Sequence, residues 1–171
     1  ALCNIGHLAF SDDDKIRFKK RYEDNIKKLA NEGNLSAMLA VGRFFTPFMS
    51  EEKINIFTKV ANNGSSDACY WLGKEYFNKL LYDENMNIRR WMDVVPKEIQ
   101  NQMLLKEYQC YLLGAQYNKG VLAGLCQYEV AKIYEEGAYF GEYIPKDLNK
   151  AKYWYTMAYN NGIEWAKIYI N

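Results

Sequence analysis

The sequence predicts an all-α chain of antiparallel helix pairs, and three observations carry that expectation. Apolar side chains recur at helical spacing along most of the chain, with little of the alternation that marks strands. Glycine and proline are sparse, 11 and 3 among 171 residues, so the punctuation of a turn-rich β fold is missing. Four segments also close alike, each with a polar pair and then glycine: Leu29-Ala30-Asn31-Glu32-Gly33, Val60-Ala61-Asn62-Asn63-Gly64, Gln116-Tyr117-Asn118-Lys119-Gly120 and Ala158-Tyr159-Asn160-Asn161-Gly162. Glycine just past a helical run is where a helix ends in a left-handed residue, a conformation free of penalty for glycine and tolerable for asparagine.

The elements follow in order. Residues 11–33 read as a leading helix, with Ser11 at its N-cap and Asp12, Asp13 and Asp14 in its first turn, where acidic side chains meet the free amides. Capping accounts for that acidic run without a metal. Three units follow, at 34–64, 65–120 and 121–162, and residues 163–171 begin a further helix. The first helix of each unit carries a small anchor: Ala37, Ala68, Cys126 and, in the last helix, Ala166. Four residues on stand Val41, Leu72 and Val130; five on, Gly42, Gly73 and Ala131; eight on, Phe45, Tyr76 and Tyr134. On a helical wheel these positions form one apolar stripe about 140° wide. The small residue beside an aromatic lets a neighbouring helix come close. The second helix of each pair places an apolar or aromatic side chain seven residues before the closing glycine: Ile26, Phe57, Leu113 and Tyr155. Ser50 before Glu51-Glu52, and Asp147 after Pro145, stand where N-caps belong.

This layout resembles the Sel-one-like repeat family, a relative of the tetratricopeptide repeat. The third unit carries the resemblance most fully, through Ala131, Tyr134 and Gly137, then Asp147, Lys150, Ala151, Trp154, Tyr155 and Ala158, closing at Gly162. Ala68, Leu72, Gly73 and Tyr76 match the first half of another unit, and the unit at 34–64 is degenerate, with Phe45 in place of the tyrosine. The resemblance runs from about Tyr22 to the end of the sequence. It implies a right-handed α-solenoid (an α/α superhelix) and a function in protein recognition. The implied role is a stand-alone bacterial binder, such as an inhibitor or immunity-type protein that occupies its target, or alternatively an adaptor or scaffold in a signalling or envelope pathway. The family's motif fixes packing residues, so it speaks for architecture more than for function.

Two features point to where a partner would bind. The closing glycines are 31, 56 and 42 residues apart, so the middle unit carries an insertion at about 79–100. Insertions in repeat proteins map to loops on one face, often the binding face. This one contains Arg89, Arg90, Trp91 and Met92, residue types enriched at interface cores. The alternative is that Trp91 and Val94 fold back to plug the solenoid. The second feature is the face of the first helices opposite the apolar stripe. Position two from the anchor is Leu39, Tyr70 and Tyr128, and position six is Arg43, Lys74 and Lys132, basic in all three units. In a two-layer helical solenoid this face lines the concave surface. The expectation is a groove for an acidic, partly apolar segment of another protein. The loop 137–144 adds three aromatics, Tyr139, Phe140 and Tyr143, expected to pack on the adjacent helix pair ahead of any binding role.

Other function classes find little in the sequence. Net charge is +1, and the basic residues of the leading helix interleave with Glu23 and Asp24, so nucleic acid is not expected. No run approaches the roughly 18–20 apolar residues of a membrane span. His7 is the one histidine, and Cys3, Cys69, Cys110 and Cys126 show no zinc spacing. There is no phosphate-cradling glycine loop and no nucleophile elbow. The expectation is a protein that is not an enzyme and holds no cofactor or metal. Ala1-Leu2-Cys3 matches the tail of an export signal only in part, so periplasm and cytoplasm of a bacterium both stay open, as does the oligomeric state.

Overall fold

A computed structural model describes residues 12–82, 95–140 and 142–170. Among these the chain is all-helical apart from one small hairpin. The helices are α1 (Asp12–Asn31), α2 (Leu35–Phe44), α3 (Glu51–Ala61), α4 (Ser66–Leu81), α5 (Lys97–Tyr117), α6 (Ala123–Glu136) and α7 (Leu148–Asn160), followed by a 3-10 helix at Glu164–Tyr169. Strands β1 (Ala138–Tyr139) and β2 (Tyr143–Ile144) pair antiparallel within the loop that joins α6 to α7, with Tyr139 opposite Tyr143. Arg89, Arg90, Trp91, Met92 and Val94 of the insertion lie outside the described residues, as do Cys3, His7 and Ser11.

Side-chain caps open four of the helices. The Asn34 side chain accepts from the Ala37 amide at 2.9 Å, Ser50 from Lys53 at 3.2 Å and Ser65 from Ala68 at 3.2 Å. Asp147 accepts from the amides of Asn149 and Lys150 at 3.1 and 3.0 Å. Each of these bonds satisfies an amide that has no partner within its own helix. At the other ends Gly33, Gly64 and Gly162 take φ of 90°, 86° and 88°, as the recurring polar-pair-plus-glycine motif requires.

Helix α5 closes differently. Its left-handed residue is Asn118, with φ 49° and ψ 38°, and Gly120 follows in the turn at φ 100°. The register of α5 therefore shifts by two. Tyr111, seven residues before Asn118, is 2% exposed and takes the place that Phe57 and Tyr155 hold in their units, while Leu113 is half-buried. Asparagine tolerates the left-handed region, so it ends the helix before the glycine is reached.

Each helix packs on the next, from α1 through α7 to the 3-10 helix, and α4 also touches α6. The close approaches fall at the small residues of the apolar stripe. A Cβ added at Gly42 would stand 2.6 Å from the Phe57 ring, and one added at Gly73 would stand 2.6 Å from the Tyr111 ring. Ala131 packs in one cluster with Tyr155 and Ala158. The Gly73→Ala variant is thus expected to lose stability. Steric strain of roughly 1–3 kcal/mol outweighs the gain of about 1 kcal/mol in helix propensity, because the buried Tyr111 ring has no room to swing away. The midpoint of urea unfolding measures the loss.

Polar links tie one helix pair to the next. Ser66, fully buried, donates to the Gly114 carbonyl at 2.7 Å and accepts from the Lys119 amide at 3.1 Å. Asp67 accepts from the Leu122 amide at 2.8 Å. The Asn161 amide group donates to Asn118 at 2.7 Å and to Gln127 at 2.8 Å, and Gln127 donates to Asn118 at 3.0 Å. The same asparagine that ends α5 is therefore the junction between two closing turns.

Two stretches differ from the sequence expectation. The final segment is a 3-10 helix, with Ala166 bonded to Ile163 at 2.9 Å and Ile170 to Lys167 at 3.3 Å; the tighter i→i+3 bonding is common in short pieces. In the 137–144 loop, Tyr139 and Tyr143 are exposed on the hairpin, and Phe140 turns inward to lie 6.0 Å from the Tyr108 ring. No described helix is long and apolar enough to cross a membrane.

Candidate functional site

Helices α2, α4 and α6 carry the six residues singled out on the face opposite the stripe, and the structure brings four of them into one region. Arg43 is exposed, with its guanidinium carbon 4.8 Å from the centre of the Phe44 ring and 4.6 Å from that of Trp71. Tyr70 stands edge-on to Trp71 at 5.5 Å and lies 6.0 Å from Tyr111. The Lys74 ammonium lies 5.5, 6.0 and 5.8 Å from the rings of Tyr70, Phe77 and Tyr111. It also reaches Glu129 of α6 at 3.7 Å, and Lys132, three residues beyond Glu129, reaches the same carboxylate at 3.3 Å. Two successive units thus meet on one shared glutamate.

The other two residues lie elsewhere. Leu39 packs against the cluster of Met38, Val60, Ala61, Ala68 and Cys69, where Ala30 of α1 also packs. Tyr128 joins an aromatic group with Tyr155, Trp165 and Tyr169, at ring distances of 5.4, 6.1 and 6.2 Å. In both cases a flanking helix covers a position that the isolated wheel leaves open.

Two adjoining cavities line this face, with Lys74 at the first and its partner Glu129 at the second. The first, about 240 Å³, is bounded by Arg43, Phe44, Phe48, Phe57, Trp71 and Lys74. Lys53 and Glu75 also line it and form a buried ion pair at 3.4 Å, and Glu75 accepts from the Met49 amide at 3.0 Å. Met49 has φ 56°, a conformation costly for a non-glycine residue, so this hydrogen bond helps hold a strained turn ahead of α3. The second cavity, about 350 Å³, lies between α4, α5, α6 and the hairpin. Its walls include the rings of Phe77, Tyr108, Tyr111 and Phe140 and the carboxylates of Glu107, Glu129 and Glu136.

Glu107 is the most perturbed acid of the face. Burial pushes its carboxyl up to about 7, against the opposing pull of the Tyr111 hydroxyl, which donates to it at 3.0 Å, and of nearby Lys74. The folded chain holds this proton more tightly than an unfolded chain would. Its contribution to stability is therefore full below the ordinary carboxyl range and is lost as pH rises through about 7. Glu107 and Glu129 were not among the sequence candidates. Glu129 could have been found as an i, i+3 partner of Lys132, whereas Glu107 belongs to the helix whose register was misjudged.

A third cavity, about 320 Å³, is lined by residues of α3, α4 and α5, among them Cys69 and Cys110. Burial pushes the Cys69 thiol up to about 11 and the Cys110 thiol up to about 12, which keeps both protonated at neutral pH. Among the described residues no group of three or more His, Cys, Asp or Glu side chains is gathered for a metal. What the α2–α4–α6 face offers chemically is ring surface, one cation with no carboxylate beside it among the described residues, and carboxylates in a half-dry cleft. These are means of holding polypeptide side chains. Set against models of protein families and against curated proteins, the sequence matches none of them.

Proposed function

We propose that this chain is a protein-recognition module: a short right-handed α-solenoid of Sel-one-like helix pairs whose concave face, lined by α2, α4 and α6, holds a segment of another protein. On this reading it acts as a bacterial binder of the inhibitor or immunity type. The observation that carries the reading is the line formed by Arg43, Lys74 and Lys132, one from each successive unit, along two adjoining aromatic-walled cavities. The recurrence of close helix approach at Gly42 and Gly73 supports the repeat architecture beneath it. Arg43 has no carboxylate within ion-pair distance among the described residues, and the rings of Phe44 and Trp71 hold it in place. A preorganised guanidinium beside an indole is the kind of anchor that carries binding energy, because little side-chain freedom is lost on contact. It suits an acidic side chain on a partly apolar segment.

The test is affinity capture from the native host with three proteins: wild type, Arg43→Glu, and Lys152→Glu on the exposed side of α7. The Lys152→Glu protein should retain the wild-type partner, and Arg43→Glu should bind that partner at least tenfold more weakly, in line with the loss of about 1.4 kcal/mol or more. A folded Arg43→Glu protein with undiminished affinity refutes the groove.

A further inference from the structure

We infer that the cavity between α4, α5 and α6 seats a basic side chain, lysine or arginine, of the bound protein, so that the groove reads an acidic residue at its Arg43 end and a basic one at its Glu107 end. This inference rests on the recognition reading above and adds the chemistry of the second contact.

Charge bookkeeping within the cavity points to a cation. Glu129 is already shared between Lys74 and Lys132 at 3.7 and 3.3 Å. Glu107 and Glu136 have no lysine or arginine within ion-pair distance among the described residues; Glu107 is half-buried against Tyr111 and Glu136 is exposed. The walls between them are aromatic, and ring faces attract a cation. An anionic side chain would meet three carboxylates against one lysine of the lining, Lys132, which Glu129 already engages. An apolar one would seal Glu107 away from water without a counter-charge, which disfavours its ionised form. A basic side chain alone finds both an unpaired acid and ring faces to lie against.

The partial burial of Glu107 makes this contact sensitive to pH. The groups facing its carboxyl are Tyr111 on its own helix, Lys74 from α4, and Glu129 and Lys132 from α6. Burial leaves the carboxyl titrating at about 7, so in the empty cavity near neutral pH it is divided between its two forms. The ionised form is the one that attracts a cation, so binding draws the group toward ionisation and releases a proton. Between pH 6 and pH 8 the ionised fraction of a group titrating near 7 rises from about one tenth to about nine tenths, and affinity should rise about tenfold with it.

The probe is N-acetyl-arginine amide, with N-acetyl-norleucine amide as its uncharged counterpart, each titrated into ¹⁵N-labelled full-length protein and followed by NMR. The arginine probe should shift the amide signals around Glu107, Glu129 and Glu136, bind about tenfold more tightly at pH 8 than at pH 6, and outcompete the norleucine probe. Glu107→Gln, which keeps the shape of the side chain, should remove the pH dependence. Glu136→Lys, an exposed change that leaves the interior intact, should weaken the arginine probe at least fivefold. Equal binding of the two probes, shifts confined to another region, or an unaltered pH dependence in Glu107→Gln would each overturn the inference. The probe reads this cavity alone and host capture reads the Arg43 end, so failure of the inference is told apart from failure of the recognition reading on which it rests.

Discussion

Replacing Glu75 by alanine is expected to cost about 3–5 kcal/mol of folding stability, because it strands a buried ammonium. Lys53 and Glu75 pair at 3.4 Å with side chains only 9% and 4% exposed. The paired state is tolerable inside the protein since each charge answers the other, and the Phe48 ring lies 5.7 Å from the lysine. With Glu75 removed, the Lys53 charge is left buried without a counter-charge, which costs free energy. The pair as a whole contributes far less than its breakage suggests. Exchanging both members, Lys53→Met with Glu75→Leu, should recover most of the loss, leaving a deficit of about 1 kcal/mol from the Met49 amide that Glu75 no longer accepts. Urea unfolding of the single and double variants measures both values. A single-variant loss below about 1 kcal/mol would mean that water already reaches the pair.

The second large effect is expected at Tyr111. Truncation to alanine should cost about 3–5 kcal/mol, and Leu113→Ala about half as much. The difference follows from the way α5 ends. Tyr111 is 2% exposed and packs against Gly73 and with Ala115, Cys126 and Val130, whereas Leu113 is half-buried at the edge of the cluster that contains Cys69 and Met38. If the helix closed at Gly120, the two residues would exchange importance. Tyr111→Phe separates the two roles of the residue. It keeps the ring and withdraws the hydroxyl that donates to Glu107, so the expected cost is about 1 kcal/mol and a further rise in the Glu107 carboxyl's affinity for protons. Chemical denaturation and an NMR titration of the glutamate carboxyl check these outcomes.

Much of the fold was legible because its rules are local and repeat. A polar pair and glycine mark a helix end wherever they occur, and the small residue five places after each anchor marks where a helix comes close; Gly42 meets Phe57 and Gly73 meets Tyr111 on that rule. The rule failed where two local signals compete, at Asn118 and Gly120, because both residue types accept positive φ and only packing decides which one ends the helix. The face was less legible than the fold. A wheel built from repeat positions finds Arg43, Lys74 and Lys132, since they share a position. It does not find Glu107, which comes from α5 and reaches the face through tertiary packing. Nor does it find that Lys53 and Glu75 are buried, since a charged residue on a wheel reads as solvated until a partner from another helix is known. Leu39 and Tyr128 show the same gap from the other side: they look free on their own helices and are covered by neighbours.

The proposed function requires the α2–α4–α6 face to be the surface that another protein covers. Hydrogen–deuterium exchange of the full chain, free and saturated with its captured partner, measures that directly. Amides of residues 70–78, 104–111 and 129–136 should slow on binding, while those of Asn149, Lys150, Lys152 and Tyr153 on the exposed side of α7 keep their free-state rates. Protection confined to α7 and the terminal 3-10 helix, with the groove segments unchanged, would contradict it.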